Sequence, residues 1–425
     1  MKINKVSKIN GTITVPADKS ITHRAIMLSS LAEGKSYVNN YLRSDDCLMT
    51  MNAFKQMGVT IEQKENSLII NGAGIKGLKN SGKEIYAGNS GTTTRLLSGV
   101  LAGQNFSSTI TGDDSLSKRP MKRVIEPLSL MGVNIKAKEN NFLPMTITPC
   151  GTLKSINYVS PVASAQVKSC ILFAGLYADG TTSVSEPVKS RDHSEKMFKT
   201  FGADISVDGL KVSINHCDKL YSQEVNVPCD ISSAAFFIVA GLIVPDSNIK
   251  ILNVNINKTR DGILTVLKNM GANIVLDNIR TVSGEDVADI EIKTSKLNST
   301  SFGKEIIPSL IDEIPIIVLA ATQAEGQTVI SGAKELKVKE SNRIHSVASQ
   351  LNRMGANIQE TDDGFIINGP TKLKGATVDS FDDHRIAMML SIAGLIAEGE
   401  TEILKSDCVK ISFANFYEVL EKLCK

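Results

Sequence analysis

A short signature recurs five times and constrains the fold of this chain more than any other feature. It reads MGVTI from Met57, MGVNI from Met131, FGADI from Phe201, MGANI from Met270 and MGANI from Met354. Successive copies lie 69 to 84 residues apart, and such self-similarity marks repeated supersecondary units. Each glycine follows an apolar-periodic stretch and suits the residue after a helix end, where only glycine adopts the left-handed conformation cheaply. The β-branched residues that follow suit a strand. Upstream of each copy an amphipathic segment has a polar start: Ser44-Asp45-Asp46, Ser117-Lys118-Arg119-Pro120, Ser190-Arg191-Asp192, Thr259-Arg260-Asp261 and Glu340-Ser341-Asn342-Arg343. Ser, Asp, Asn and an early Pro are what a helix N-terminus needs. A sixth copy, Lys410 to Leu423, has the helix but runs out of chain. The strand it lacks is available in Ile3–Val15, so the chain is expected to begin and end in one domain.

A second helix class alternates with the first and is rich in small apolar residues: Ile21–Ala32, Thr93–Ala102, Val167–Tyr177, Ser232–Leu242, Ile314–Gln323 and His384–Ala397. Helices apolar nearly all round belong in an interior. Six units of strand, buried helix, strand and surface helix therefore suggest two domains of three units, each wrapping sheets around inner helices. A length of 425 residues agrees, since one core rarely supports so long a chain. The expected division is 17–227 for one lobe and 1–16 with 228–425 for the other, with crossovers near Pro16–Asp18 and Asn226–Asp230. Architecture alone leaves a non-catalytic repeat scaffold as open as an enzyme.

The net charge of +2 argues against nucleic acid or an anionic membrane as partner. Met1–Asn10 lacks the apolar core of a signal peptide. The longest apolar stretches, Ala234–Val244 and Ile386–Ala397, are too short to span a bilayer. Seven scattered cysteines with no C-x-x-C pair point to a reducing cytoplasm.

Anion binding would need locally focused cations, and these cluster at expected helix starts: Lys19 and Arg24, Arg119, Arg191, Arg260, Lys339 and Arg343, Arg385, and Lys410. A helix N-terminus already carries free N–H groups and about half a positive charge. Added Lys or Arg there is costly unless an anion occupies the site. In Asp18-Lys19-Ser20-Ile21-Thr22-His23-Arg24 a hydroxyl, a Lys and an Arg form a candidate phosphate or carboxylate grip. In Asn89-Ser90-Gly91-Thr92-Thr93-Thr94-Arg95, Gly91 permits close backbone approach to a ligand. Two carboxylates fall among the cations: Asp312 is expected to open the buried helix Asp312-Glu313-Ile314-Pro315, and Glu340 lies between Lys339 and Arg343. Helix capping and proton transfer are both open to them, and local sequence does not separate the two. Gly72-Ala73-Gly74-Ile75-Lys76-Gly77 matches a dinucleotide-binding pattern, but no helix is expected after it, so the required context fails. The five histidines show no metal-ligand spacing, and neither Cys47 nor Cys408 has a sequence argument for nucleophilic work.

Taken together, Pro16-Ala17-Asp18-Lys19-Ser20-Ile21-Thr22-His23-Arg24, Asn89-Ser90-Gly91-Thr92, Lys118-Arg119-Pro120-Met121, Ser164-Ala165-Gln166-Val167-Lys168, Lys339-Glu340-Ser341-Asn342-Arg343 and Asp383-His384-Arg385 resemble the signatures of the 5-enolpyruvylshikimate-3-phosphate synthase family. They occur in order across essentially the whole chain. The resemblance implies a two-domain inside-out α/β barrel with three βαβαββ-type units per domain. It implies transfer of the enolpyruvyl group of phosphoenolpyruvate to shikimate-3-phosphate in a cleft between the domains, by a monomer without metal or cofactor. By position, Lys19, Ser20, Arg24, Ser164, Ala165, Gln166, Asp312 and Lys339 would hold shikimate-3-phosphate. Lys19, Gly91, Arg119, Gln166, Arg343, Arg385 and Lys410 would hold phosphoenolpyruvate. Asp312 and Glu340 would transfer protons, with Lys19 touching both substrates. Two departures stand out. Ala165 replaces a frequent second Ser and leaves only backbone for that contact, and Arg191, in a charged run, would take the shikimate phosphate. That run resembles the subgroup less sensitive to glyphosate, although Gly91 lacks the bulkier replacement tied to strong tolerance. A sister enzyme that acts on a UDP-linked amino sugar usually has a loop cysteine near Arg119; Ser115–Met121 has none.

Overall fold

The computed structural model describes all 425 residues, Met1–Lys425. The chain is mixed α/β and forms two compact units, each with its own hydrophobic core. One comprises Ala17–Val227 with Val282–Glu285, the other Met1–Pro16, Pro228–Thr281 and Asp286–Lys425. The short segment Val282–Glu285 thus falls outside the expected 228–425 span. Glu285 supplies the reason, because its buried carboxylate bonds His193 Nδ1 at 2.8 Å.

Each unit contains three sheets. In the middle sheet of the first unit, Ile85–Tyr86 runs parallel to Ser108–Thr111, with Ile85 opposite Ile110. Ser108–Thr111 then pairs antiparallel with Phe142–Thr148, which pairs with Asn134–Lys138. The same pattern recurs in Ser301–Phe302, Gly326–Ile330, Phe365–Gly369 and Asn357–Glu360 of the second unit. The five signature glycines, Gly58, Gly132, Gly202, Gly271 and Gly355, have φ between +85° and +96°. That is the left-handed turn their position after a helix requires.

The apolar helices lie inside. They span Lys19–Leu31, Gly91–Ala102, Ala165–Gly175, Ile231–Ile243, Ile314–Thr322 and His384–Gly394. In Ile231–Ile243 every residue from Ile231 to Leu242 is buried. Gly99 lets two inner helices meet backbone to backbone, since a Cβ there would lie 2.1 Å from the Cys170 carbonyl oxygen. The helices of the first unit begin two residues earlier than periodicity suggests, because Asp18, Ser90 and Ser164 cap them through their side chains. Lys19, Gly91 and Ala165 consequently sit at the first helical positions, where backbone N–H groups have no acceptor within the helix.

The N-terminal segment departs from expectation. It does not form one strand completing the last repeat. Lys2–Ile3 pairs antiparallel with Thr401–Leu404, while Asn10–Ile13 pairs parallel with Asn248–Asn255 in another sheet. The break follows from anchoring: Val6 N bonds Leu395 O at 3.0 Å and Ile9 N bonds Ser247 Oγ at 3.0 Å. No helix is long and apolar enough to cross a membrane.

Candidate functional site

In the first unit, three helix starts carry candidate residues. Lys19 pairs with Asp46 at 3.2 Å and is partly exposed. Arg24 is buried, with Nε 2.7 Å from Ser194 Oγ, Nη2 2.8 Å from Ser169 Oγ and Nη1 3.0 Å from Ser20 O, which uses three of its five N–H donors. Burial pulls its guanidinium down to about 10, against the opposing pull of Glu195, so it stays charged at neutral pH. Arg191 Nη1 lies 3.5 Å from Ser20 Oγ. Ser20, Arg24 and Arg191 are thereby assembled from two segments far apart in sequence.

Ser164 Oγ accepts from Val167 N at 3.4 Å, which leaves its hydroxyl hydrogen for another acceptor. Gln166 is held on both sides: Arg95 Nη1 donates to its Oε1 at 2.7 Å, and its Nε2 donates to Thr92 Oγ1 at 3.0 Å. Arg119 Nη2 donates to Asn89 Oδ1 at 2.5 Å. Gly91 starts its helix beside these arginines, and a Cβ on it would meet Arg95 Nη1 at 2.8 Å and Arg119 Nη1 at 3.8 Å. Gly91, Arg119 and Gln166 therefore share one neighbourhood, joined by Arg95. Below it runs a buried chain of short bonds, His23 Nδ1 to Thr50, Thr50 to Thr93 and Thr93 to Ser90, each 2.7 Å.

In the second unit, Asp312 Oδ1 is 3.3 Å from Lys339 Nζ and 3.4 Å from Arg343 Nη1. Glu340 Oε2 is 2.6 Å from Arg343 Nη2. Arg385 Nη1 donates to the Asp312 carbonyl at 3.1 Å and lies 3.8 Å from Glu313. Neither Asp312 nor Glu340 caps a helix. The helix after Asp312 begins at Ile314 without a side-chain cap, and Asn342 caps the helix Arg343–Arg353. Both carboxylates instead face cations. Exposure separates them from their neighbours: the Asp312 and Glu340 side chains are 15% and 32% exposed, whereas Asp383 and Glu313 are 0%. Of these four carboxylates, the first two are open to solvent.

Lys410 stands apart. It lies in the short helical turn Ser406–Ile411, not at the start of the following helix Phe416–Cys424, and its ammonium pairs with Asp407 at 2.7 Å. Arg260 is buried, with Nη2 bonded to Ser232 and 3.4 Å from Asp230. The glycines of Gly72–Gly77 serve packing: the strand Ser67–Ala73 ends in a turn, and a Cβ on Gly72 would lie 2.0 Å from Ala32 O.

Glu186 escaped sequence reasoning, and Asp383, Glu313 and Arg95 fall within motifs named above without a role of their own. A signal existed for one more. Lys168 is a charge in the otherwise apolar or small run VKSCILFAG, and a buried lysine needs a partner.

The fold is that of the enolpyruvyl transferases. A solved EPSP synthase from Acinetobacter baumannii superimposes with a TM-score of 0.90 at 45% identity, covering 99% of this chain and 97% of that one. The enolpyruvyl transferase NikO from Streptomyces tendae shares the fold alone, with a TM-score of 0.81 at 16% identity over 99% of this chain and 96% of that one. Within that class the match is narrower. The family model of EPSP synthase (3-phosphoshikimate 1-carboxyvinyltransferase) covers residues 3–420. The 3-phosphoshikimate 1-carboxyvinyltransferase of Endomicrobium trichonymphae is 59% identical over the full length of both chains, and that of Thermoanaerobacter sp. (strain X514) is 53% identical, also over both full lengths. The chain belongs to the EPSP synthase family.

Proposed function

We infer that this chain transfers the enolpyruvyl group of phosphoenolpyruvate to the 5-hydroxyl of shikimate-3-phosphate and releases phosphate, a step of the shikimate pathway to the aromatic amino acids. Family membership over residues 3–420 carries the reading. The chemistry is addition followed by elimination. The 5-hydroxyl gives up its proton to a base as its oxygen bonds to C2 of the enolpyruvyl group and C3 takes a proton from an acid, giving a tetrahedral intermediate. C3 then returns a proton as the bond from C2 to the phosphate oxygen breaks.

Asp312 and Glu340 are our candidates for these proton transfers, because they are the reachable carboxylates in a cluster of fixed cations. Lys19, Gly91, Arg119, Gln166, Arg343, Arg385 and Lys410 would hold phosphoenolpyruvate. Lys19, Ser20, Arg24, Ser164, Ala165 through its backbone, Gln166, Arg191, Asp312 and Lys339 would hold shikimate-3-phosphate. Preorganised cations of this kind stabilise developing negative charge without reorganising during reaction. Lys410 would have to leave Asp407 to take part, which makes it the weakest member of the set. We further propose that each unit is an inside-out α/β barrel, a reading supported by three sheets around buried helices, and that the chain works in the cytoplasm, in keeping with seven unpaired cysteines.

The test is phosphate release by the purified chain. It is expected only when phosphoenolpyruvate and shikimate-3-phosphate are both present. Turnover with a UDP-linked amino sugar in place of shikimate-3-phosphate would overturn the substrate assignment.

A further inference from the structure

We propose that Lys168 is a positioning residue for the phosphate end of the acceptor site, clamping the helix start Ser164–Gln166 to the loop Ser190–Asp192 and so fixing Arg191. The inference rests on shikimate-3-phosphate being the acceptor.

Lys168 is 1% exposed. Its Nζ lies 2.9 Å from Glu186 Oε2 and 2.7 Å from Glu195 Oε1, and it donates to Ser190 O at 3.5 Å. These contacts occupy the three donors of an ammonium, so none is left for a ligand. Glu186 reaches both segments: its Oε1 accepts from Ser164 N at 2.9 Å and its Oε2 from Ser190 Oγ at 2.8 Å. Glu195 stands next to Ser194, whose Oγ bonds Arg24 Nε at 2.7 Å and Ser169 Oγ at 2.6 Å. One buried network thus ties Ser164, Arg24 and Ser190, the residue before Arg191.

Stability alone is a weak reason for this arrangement. A buried ion pair seldom outperforms apolar side chains of the same volume, and the helix around Lys168 is mostly built from apolar and small residues. What the ion pairs add is geometry. A hydrogen-bonded charge has few alternative positions, so neither segment can shift without breaking several bonds at once. A phosphate needs that precision, because charge-assisted contacts weaken steeply with misplacement.

The experiment measures binding of shikimate-3-phosphate and of shikimate, which lacks the phosphate, to the full chain by calorimetry, together with KM for both substrates. In Lys168→Met, affinity for shikimate-3-phosphate should fall about ten-fold or more, while shikimate affinity and KM for phosphoenolpyruvate change less than about two-fold. That variant leaves two carboxylates buried and can fail to fold. Glu195→Gln keeps the neutral Lys168–Glu186 pair, and should fold and show the same selective loss at about three-fold. Equal losses for shikimate and shikimate-3-phosphate, or no loss in a folded variant, would overturn the clamp. A wild-type chain that does not use shikimate-3-phosphate would overturn the functional reading and the clamp with it; an active wild type with unselective variants overturns the clamp alone.

Discussion

Asp383 grips Arg343 with both carboxylate oxygens, Oδ2 at 2.8 Å from Nε and Oδ1 at 3.2 Å from Nη2, and neither side chain is more than 1% exposed. Burial pushes the Asp383 carboxyl up, but the charge and hydrogen bonds of Arg343 outweigh it and hold the group below the usual range. Removing one partner of such a pair strands the other's charge. Asp383→Asn should therefore cost about 3 kcal/mol of stability, read from denaturant midpoints; an unchanged midpoint would contradict it. The sign with pH follows from the depressed value. The stabilisation is fully present above the unfolded carboxyl value of about 4 and is lost as pH falls through the lower folded value.

His23 titrates in a different window. Burial is the main cause that lowers its imidazole to about 3, so the folded chain keeps it neutral while the unfolded chain protonates near pH 6.5. Stability from this group is present above about pH 6.5 and declines as pH falls toward about 3, by about 1.4 kcal/mol per unit. Replacing His23 by Gln should flatten the stability curve between these values relative to wild type. Parallel curves would show that His23 does not carry that slope.

The proton-transfer proposal makes its own demand. Asp312→Asn and Glu340→Gln should each lower kcat by about a hundred-fold or more, a far larger effect than on substrate binding, as steady-state kinetics and calorimetry would reveal. Wild-type turnover in either variant removes that carboxylate from the mechanism.

Gly91 is constrained by what surrounds it. Gly91→Ala should push Arg95 away and break its 2.7 Å bond to Gln166. We expect KM for phosphoenolpyruvate to rise about ten-fold, roughly the worth of a charge-assisted hydrogen bond, and KM for shikimate-3-phosphate to rise less. Equal shifts in both constants would argue against a local effect at Gly91.

Legibility in the sequence followed the range of the interactions. Helix ends, strand starts and inner helices depend on residues a few positions apart: the signature Met57-Gly58-Val59-Thr60-Ile61 declares the first two, and apolar runs such as Ser232–Leu242 declare the third. The first-turn positions of Lys19 and Ala165 were missed by two residues, since a single cap outweighs the last turn of an apolar pattern.

The repeated α/β organisation, the buried helices and the candidate cations were thus determined by the sequence itself, because propensity, periodicity and capping are local. Tertiary structure alone decided what the charges do. It turned Asp312 from a possible cap into a partner of Lys339 and Arg343 and divided the N-terminal strands between two sheets. It also brought Lys168 to Glu186 and Glu195, 18 and 27 residues away. The physical reason is that a buried charge is stabilised by whichever groups the fold carries to it, and no local pattern encodes that meeting.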